Sequence, residues 1–348
     1  MLKIGTSSVN KIFIGSDEVN KAYLGNTLVY SSGPQPTPYK DMYLTFKIIS
    51  GGTISWKATR GDNTKEILYQ INDGEWTSIV STTAGAPINL STGDVVKFKG
   101  DGAISTASNN SNRFSDSTIV FEVYGNIMSL IDSTGYTTAT TAADHSFRQL
   151  FYSQTGLISA ENLVLPATTI GTNVYKEMFR GCTRLTKAPS ILPAATLAQS
   201  CYNGMFYGCS SLTTAPELPA STLAQECCKQ MFRGCSSLTT APSSIGTSAS
   251  TVGVSGCTDM FRGCTSLTTA PVLPATALEQ RCYQNMFYDC SSLNCIKCLA
   301  TDISATNCTY NWVFKVSATG TFVKNPNMTS WTTGYNGIPN GWTVQDAT

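Results

Sequence analysis

The cysteines are the residues of this 348-residue chain whose type and spacing could support chemistry. Thiolates bind zinc, form disulfides and act as nucleophiles, and all thirteen cysteines lie between Cys182 and Cys308. The cysteines recur with a sequence repeat in this part of the chain. In the repeat unit that ends at Met178, Val174 stands at the position where later units have cysteine, which indicates a small, buried apolar position. Ten of the cysteines form two columns: Cys182, Cys209, Cys235, Cys264 and Cys290, and Cys201, Cys227, Cys257, Cys282 and Cys308.

Free, buried thiols are the interpretation that this spacing favours. The chain has a single histidine, His145, and one Cys-X-X-Cys pair, Cys295 and Cys298, whereas structural zinc sites need four ligands. One histidine also argues against a Ser/His/Asp or Cys/His catalytic set, and no glycine-rich phosphate loop precedes a helix. We therefore expect no metal, no cofactor and no enzymatic activity. Disulfides and then zinc are the alternatives.

The two columns belong to a repeat that runs through the second half of the chain. Degenerate copies lie at Leu150-Phe151 and Val313-Phe314, where Gln154 and Ser317 would take the place of the first-column cysteine. A fixed period in this range predicts a solenoid, in which each unit buries its apolar face against its neighbours. Five clear copies of Met-Phe-Xaa-Gly/Asp-Cys, at offsets of 27, 26, 29 and 26 residues, begin at Met178, Met205, Met231, Met260 and Met286.

The unit that begins at Leu212, LTTAPELPASTLAQECCKQMFRGCSS, predicts the local structure of all the others. Leu223, Cys227, Met231 and Cys235 recur every four residues, which favours one face of a short α-helix. The prolines exclude helix where they stand, and Leu-Thr-Thr-Ala suits a short strand. We therefore expect an α/β solenoid of about seven coils, each with one strand, an extended segment and a helix.

These units resemble the BspA-like leucine-rich repeats of gut Bacteroidales and their phages. The phrases SAENLVLPAT, from Ser159, and GIPNGWTV, from Gly337, are similar to those that flank the repeats in such proteins. The resemblance implies a leucine-rich-repeat surface that serves recognition rather than catalysis. We expect the solenoid to span 145–322 and a C-terminal cap to span 323–348. An open end would expose core, and Trp331 and Trp342 are the residues expected to close it.

One column of the repeat is a candidate binding site. The residue two positions after each Met is Arg or Tyr, and both types are favoured in recognition. The alternative is that these side chains only cover the coil edge with their stems. Stacking of the coils would align them into what we call the stripe: Arg180, Tyr207, Arg233, Arg262 and Tyr288.

The first thirty residues carry a second period, of ten residues. Short alternating runs broken by glycine predict β-strands, and thirty residues cannot bury a core alone. The segment resembles the N-terminal segments of phage tail, fibre and minor structural proteins, which implies an anchor, 1–30. It is expected to bind a phage capsid or tail protein or to pair with sister chains, in which case we expect a homotrimer. Its apolar positions are Ile4, Val9, Ile14, Val19 and Leu24.

A Pro-rich linker, 31–39, is followed by a segment, 40–130, that predicts an all-β domain. Alternating runs on both sides of Asn72-Asp73-Gly74 predict a hairpin with Asp-Gly at its tip. The number and length of the runs favour a small immunoglobulin-like sandwich. We expect Trp56 and Trp76 to serve packing rather than to form a sugar platform.

Composition narrows the class of partner. A net charge of +1 with 13% charged residues gives no signature of nucleic-acid or anionic-membrane binding, and no apolar stretch could span a bilayer. The chain begins without the features of a secretory signal, so release with a virion after cytoplasmic assembly is the expected route to a surface. We therefore expect a phage virion surface protein whose solenoid binds a neutral glycan or a protein on the host. The alternative is a bacterial cell-surface BspA-like adhesin.

Overall fold

The computed structural model describes residues 39–102, 104–105, 110–115, 117–246 and 251–348, together with the backbone of four short strands between residues 12 and 31. In this part of the chain it contains 22 β-strands and one 3₁₀ helix, Ile127–Leu130, but no α-helix. The solenoid is confirmed as a stack of coils. The expectation that it is α/β is wrong, because turns and β-bridges replace the helices.

The four N-terminal strands form two antiparallel pairs. The strands are β1 (Ile12–Ile14), β2 (Asp17–Val19), β3 (Lys21–Leu24) and β4 (Thr27–Ser31). β1 pairs with β2, and β3 pairs with β4. Of the expected anchor positions, Ile14, Val19 and Leu24 lie in these strands, whereas Ile4 and Val9 lie outside the described residues.

A two-layer β domain follows. Its strands are β5 (Leu44–Ser50), β6 (Gly52–Ala58), β7 (Glu66–Ile71), β8 (Thr77–Val80), β9 (Ala86–Leu90), β10 (Val95–Lys99), β11 (Asn112–Ser115), β12 (Val120–Asn126) and, from the first coil of the solenoid, β14 (Leu157–Val164). The larger sheet has the order β14-β12-β5-β10-β7-β8, and the smaller sheet has the order β11-β6-β9.

Aromatic rings fill the space between these two sheets. Phe46 on β5 is fully buried, and its ring centroid lies 4.6 Å from that of Phe98 and 4.7 Å from that of Phe114. Trp56 is also fully buried and donates a hydrogen bond from Nε1 to the Lys65 carbonyl at 2.8 Å. The packing role expected for Trp56 is confirmed, since its ring lies in the core and its one polar atom is satisfied.

The predicted hairpin is confirmed, with its tip one residue earlier than expected. β7 and β8 pair antiparallel, and the two central turn residues are Asn72 and Asp73, both with positive φ. This is the turn type that matches strand twist in two-residue hairpins. Trp76 follows the turn and is half-buried, with Tyr43 at 5.3 Å and the Lys99 Nζ at 4.3 Å from its ring.

Each coil of the solenoid contains a nine-residue turn segment in which the first, fifth and ninth residues have positive φ. Backbone amides along a segment alternate between two kinds of partner. In the third coil Cys209 and Met205 donate to carbonyls three residues earlier, while Phe206 and Gly208 donate to the next coil. Half of the amides thus close local turns and half join coils, so every coil is tied to its neighbour. The seven turn segments are 145–153, 173–181, 200–208, 226–234, 255–263, 281–289 and 307–315.

The spacing of four residues explains why the helix prediction failed. An α-helix turns about 100° per residue, so side chains four apart drift by about 40° each time. A period of four that holds from Leu197 through Cys201 and Met205 to Cys209 fits a winding of four residues per turn instead. The recurring glycine before the first-column cysteine sits at the ninth position, where φ is 75° at Gly181.

Parallel bridges close the rest of each coil. The predicted strand in Leu-Thr-Thr-Ala is wrong in extent, because it forms single bridges such as Lys187 to Thr214 and Thr214 to Thr240. The true strands lie just before the turn segments and pair in parallel in chain order. They are β13 (Thr141–Ala142), β15 (Thr169–Ile170), β16 (Thr196–Leu197), β17 (Thr222–Leu223), β18 (Thr251–Val252) and β19 (Ala277–Leu278).

A stack of phenylalanines forms the central core of the solenoid. One ring from each of six coils lies nearly parallel to the next, at centroid distances between 5.3 and 5.7 Å. The seventh coil continues the stack differently, because Trp312 lies 6.1 Å from Phe287 with its plane tilted. The rings belong to Phe151, Phe179, Phe206, Phe232, Phe261 and Phe287.

The C-terminal end is closed by a second parallel sheet and by tryptophans. β20 (Cys295–Cys298), β21 (Thr321–Lys324) and β22 (Thr343–Asp346) pair in that order, so β21 crosses the expected boundary between solenoid and cap. Trp331 stacks on Trp312 at 5.6 Å, and the Trp342 Nε1 donates to the Ser317 carbonyl at 2.8 Å. Both tryptophans expected to close the end therefore lie against it.

Candidate binding face of the solenoid

The stripe lies on the outer side of the turn segments, at their eighth residues. The second, third, sixth and seventh residues of a segment point into the core, as Cys201, Tyr202, Met205 and Phe206 do in the third coil. The eighth residue is half-buried in every coil. The four-residue winding thus explains why the eighth residue of every turn segment faces outward at the same place in its coil.

The structure brings the stripe residues into contact across coils. The Arg180 guanidinium lies over the Tyr207 ring at 4.3 Å, and that of Arg233 lies over the same ring at 5.4 Å. Further along, Arg262 lies over Tyr288, also at 4.3 Å. Arg233 and Arg262 occupy adjacent coils with no ring between them, so the stripe is made of two cation–π groups.

Sequence reasoning missed both ends of the stripe. Tyr152 occupies the equivalent position in the first coil and Phe314 in the seventh, where its ring lies 4.8 Å from that of Tyr288. The register of the last coil was wrong by one residue: Trp312, not Val313, corresponds to Met, and Val316, not Ser317, corresponds to the first-column cysteine. The spacing of four residues from Cys308 to Trp312 was the signal that could have given the correct register.

Acidic side chains hold two of the arginines in place. The Glu177 Oε1 accepts from Arg180 Nη1 at 2.5 Å, and the Asp259 Oδ1 accepts from Arg262 Nη1 at 3.2 Å. About a third of each arginine side chain remains exposed, 32% and 33%. The stripe residues are thus fixed by their neighbours, and each still presents surface to solvent.

A cleft of about 230 Å³ adjoins the C-terminal end of the stripe. Phe314, Lys315 and Tyr335 line it together with residues of the cap, and the Phe314 and Tyr335 rings meet edge to face at 4.7 Å. The stripe therefore ends beside a concave surface walled in part by aromatic rings.

The cysteines are free thiols inside the core, as expected. All thirteen are free, and all but Cys295 are buried. The expected second column is wrong at one place, because Cys257 is the third residue of its turn segment, as Tyr202 and Cys228 are in theirs, and Gly256 takes the second place. Each first-column thiol donates to the carbonyl of the phenylalanine one coil earlier, as Cys209 does to Phe179 at 3.0 Å and Cys235 to Phe206 at 3.1 Å. The column thus combines a small apolar volume with a weak donor for a carbonyl in the core.

Burial suppresses the reactivity of these thiols. It raises the pKa of Cys182, Cys235 and Cys290 to about 12, because the thiolate would lose its hydration. A thiol with a raised pKa is a poor nucleophile and a poor metal ligand. Within the described ranges, no group of three or more His, Cys, Asp or Glu side chains is arranged to hold a metal ion.

The single histidine is also half-enclosed. Burial lowers the pKa of His145, which lies in the first turn segment; Asp144 opposes this shift, and Arg148 and Lys176 add to it. Its Nδ1 is buried without a hydrogen-bond partner in the described structure. No side-chain hydroxyl or thiol of the described residues is hydrogen-bonded to His145.

Across the described residues, no helix has the length and apolar character needed to cross a bilayer. Comparisons of the chain with protein-family models, with curated proteins and with solved structures find no match.

Proposed function

We propose that this protein is a phage virion surface protein of the capsid-decoration or tail-fibre type, which presents its solenoid for adhesion to the host surface. The stripe is the observation that carries the proposal. It aligns guanidinium groups and aromatic rings, which dominate recognition surfaces, on a scaffold that already fixes their positions. Because the scaffold holds these side chains in place, little side-chain entropy would be lost on binding. A row with one such side chain per coil also matches a partner built of repeating units, such as a surface glycan.

The finer fold assignments belong to the same proposal. We assign the solenoid to the BspA-like leucine-rich repeats, which the unit length of 26 to 29 residues supports, since such repeats run from about 20 to 29 residues. We assign the two-layer domain to the immunoglobulin-like sandwiches, which its two facing sheets support. Unpaired, buried thiols support assembly in a reducing host cytoplasm before release as part of a virion.

Adsorption competition tests the adhesion. Soluble protein is expected to block phage adsorption to host cells, and Tyr207→Ala, which removes the ring shared by Arg180 and Arg233, is expected to weaken the block. Arg184→Ala is the matched control, because Arg184 is exposed and lies outside the stripe. Equal competition by both variants would show that the stripe is not the adhesive surface.

Particle incorporation tests the anchor. Removing residues 1–30 is expected to release the protein from virions while the solenoid still competes for adsorption, and sedimentation of the full chain tests the proposed homotrimer. Incorporation of the truncated chain would place the attachment in the two-layer domain. Cells that display the protein without any phage would instead support a bacterial surface adhesin.

A further inference from the structure

A second group of charges lies where the two-layer domain meets the first coil. The Phe114 amide of β11 donates to the Leu150 carbonyl at 3.0 Å, and the Gln154 Nε2 donates to the Phe114 carbonyl at 2.8 Å. β11 thus docks on the first turn segment in the way that one coil docks on the next. This contact fixes Arg113, the neighbour of Phe114, beside the first coil.

Three arginines converge at this junction. The Tyr152 ring has the Arg113 guanidinium at 5.0 Å and the Arg180 guanidinium at 6.0 Å. Arg148 precedes Tyr152 by four residues, so the four-residue winding places it on the same outward side of the first coil. The junction therefore gathers one arginine from each of three successive layers of the molecule.

Glu177 supplies negative charge at this junction, and both of its carboxylate oxygens already accept hydrogen bonds. The Glu177 Oε1 accepts from Arg180, and its Oε2 accepts from the Gln149 Nε2 at 2.7 Å. Among the described residues at this junction, three guanidinium groups stand against the one carboxylate of Glu177, which leaves two positive charges. Neither Arg113 nor Arg148 takes part in an ion pair with any residue that the structure describes, unlike Arg180.

Both unpaired arginines are also partly removed from water. The Nε atoms of Arg113 and Arg148 are buried and have no hydrogen-bond partner in the described structure. Burial lowers the pKa of Arg148, Glu177 opposes the shift and Arg113 adds to it. A desolvated guanidinium without an acceptor is costly, and arginine forks match the oxygens of carboxylate, sulfate and phosphate groups.

We propose that Arg113, Arg148 and Arg180 form an oxyanion-binding site that takes a carboxylate, sulfate or phosphate group of the ligand. The inference deepens the proposed function and rests on it for the identity of the larger ligand. It places an acidic substituent at the N-terminal end of the stripe, where composition alone favoured a neutral partner. An acidic glycan that bound along the stripe would be fixed in direction by this one group.

Titration calorimetry of the full chain with sodium acetate, sulfate and phosphate, at constant ionic strength, tests the site. We expect saturable binding of at least one of them, and the preferred anion identifies the acidic group. Arg148→Met is expected to lose about tenfold or more in affinity, about 1.4 kcal/mol. Arg148→Lys keeps the charge without the fork and should lose less, whereas the exposed Arg184→Met should bind like the parent chain.

Thermal melting of the same variants shows whether a loss of anion affinity comes from a destabilised fold. Because Arg148 forms no ion pair with a described residue and its Nε is buried, Arg148→Met should melt at or above the temperature of the parent chain when no anion is added. The absence of saturable binding for all three anions, or unchanged affinity in Arg148→Met, overturns the site. If Tyr207→Ala abolishes adhesion while no anion binds, the proposed function survives without the site. If anions bind while Tyr207→Ala leaves adhesion intact, the site survives and the proposed function falls.

Discussion

Replacing Phe206 by leucine tests whether ring stacking couples the coils. Phe206 is fully buried between Phe179 and Phe232, at 5.3 and 5.5 Å, with interplanar angles of 7° and 2°. The change removes two aromatic pairs, at about 0.5–1.5 kcal/mol each beyond their buried area. Leucine keeps most apolar contacts but leaves a small void, at about 24 cal/mol per Å³. We expect the free energy of unfolding to fall by about 2–3 kcal/mol.

Urea unfolding measures this loss, and the next residue supplies the control. Tyr207→Leu removes an outward ring and only the cation–π contacts with Arg180 and Arg233, at about 0.5–1 kcal/mol each at exposed sites. It should therefore cost about 1–2 kcal/mol and leave the core intact. A loss below about 0.5 kcal/mol for Phe206→Leu, or a larger loss for Tyr207→Leu, refutes the stacking argument. A lower m-value would show that the coils no longer unfold together.

Three further outcomes follow from the core and its closed end. Cys201→Val should change the free energy of unfolding by less than about 0.5 kcal/mol, because Val174 already fills the equivalent place. Cys209→Val should cost about 1 kcal/mol more, since the Cys209 thiol donates to a buried carbonyl. Paired urea titrations compare the two variants. The stabilisation that the buried thiols contribute should be complete below the ordinary thiol pKa of 9.0 and should fall as pH rises towards about 12. The cause is that the unfolded chain releases thiol protons that the folded chain retains. A melting temperature that stays constant between pH 8 and 11 contradicts this. Deleting residues 323–348 removes Trp331 from Trp312 and Phe322 and should cause aggregation. A truncated chain that stays soluble in light scattering and melts cooperatively in calorimetry would show that the cap is dispensable.

The repeat was predictable from sequence because its buried residues keep their identity from coil to coil. The period of the Met-Phe pairs gave the solenoid, and the single Val174 gave the free thiols. The hairpin at Asn72 and Asp73 followed from local turn chemistry. Each of these features depends on a side chain whose role is set by burial or by backbone conformation alone.

The winding of the turn segments was not predicted, because spacings of four residues were interpreted as one face of a helix. The distinction rests on drift: Cys201, Met205 and Cys209 keep one direction over eight residues, which a helix of 3.6 residues per turn would not allow. The junction with β11 could not be foreseen either. It joins Arg113 to residues 35 or more positions away, and no local pattern specifies a contact between two different kinds of fold.

The alternating hydrogen bonds of the turn segments make each coil interchangeable with its neighbours. Every internal coil receives the same backbone donors from the coil before it and offers the same acceptors to it, at a step of 5.3 to 5.7 Å between rings. Duplication or loss of one whole unit would therefore leave both ends of the stack unchanged. The molecule would become longer or shorter by one step, and its row of arginines and tyrosines would gain or lose one member. The length of the solenoid and the number of side chains in the stripe are thus both set by the number of coils.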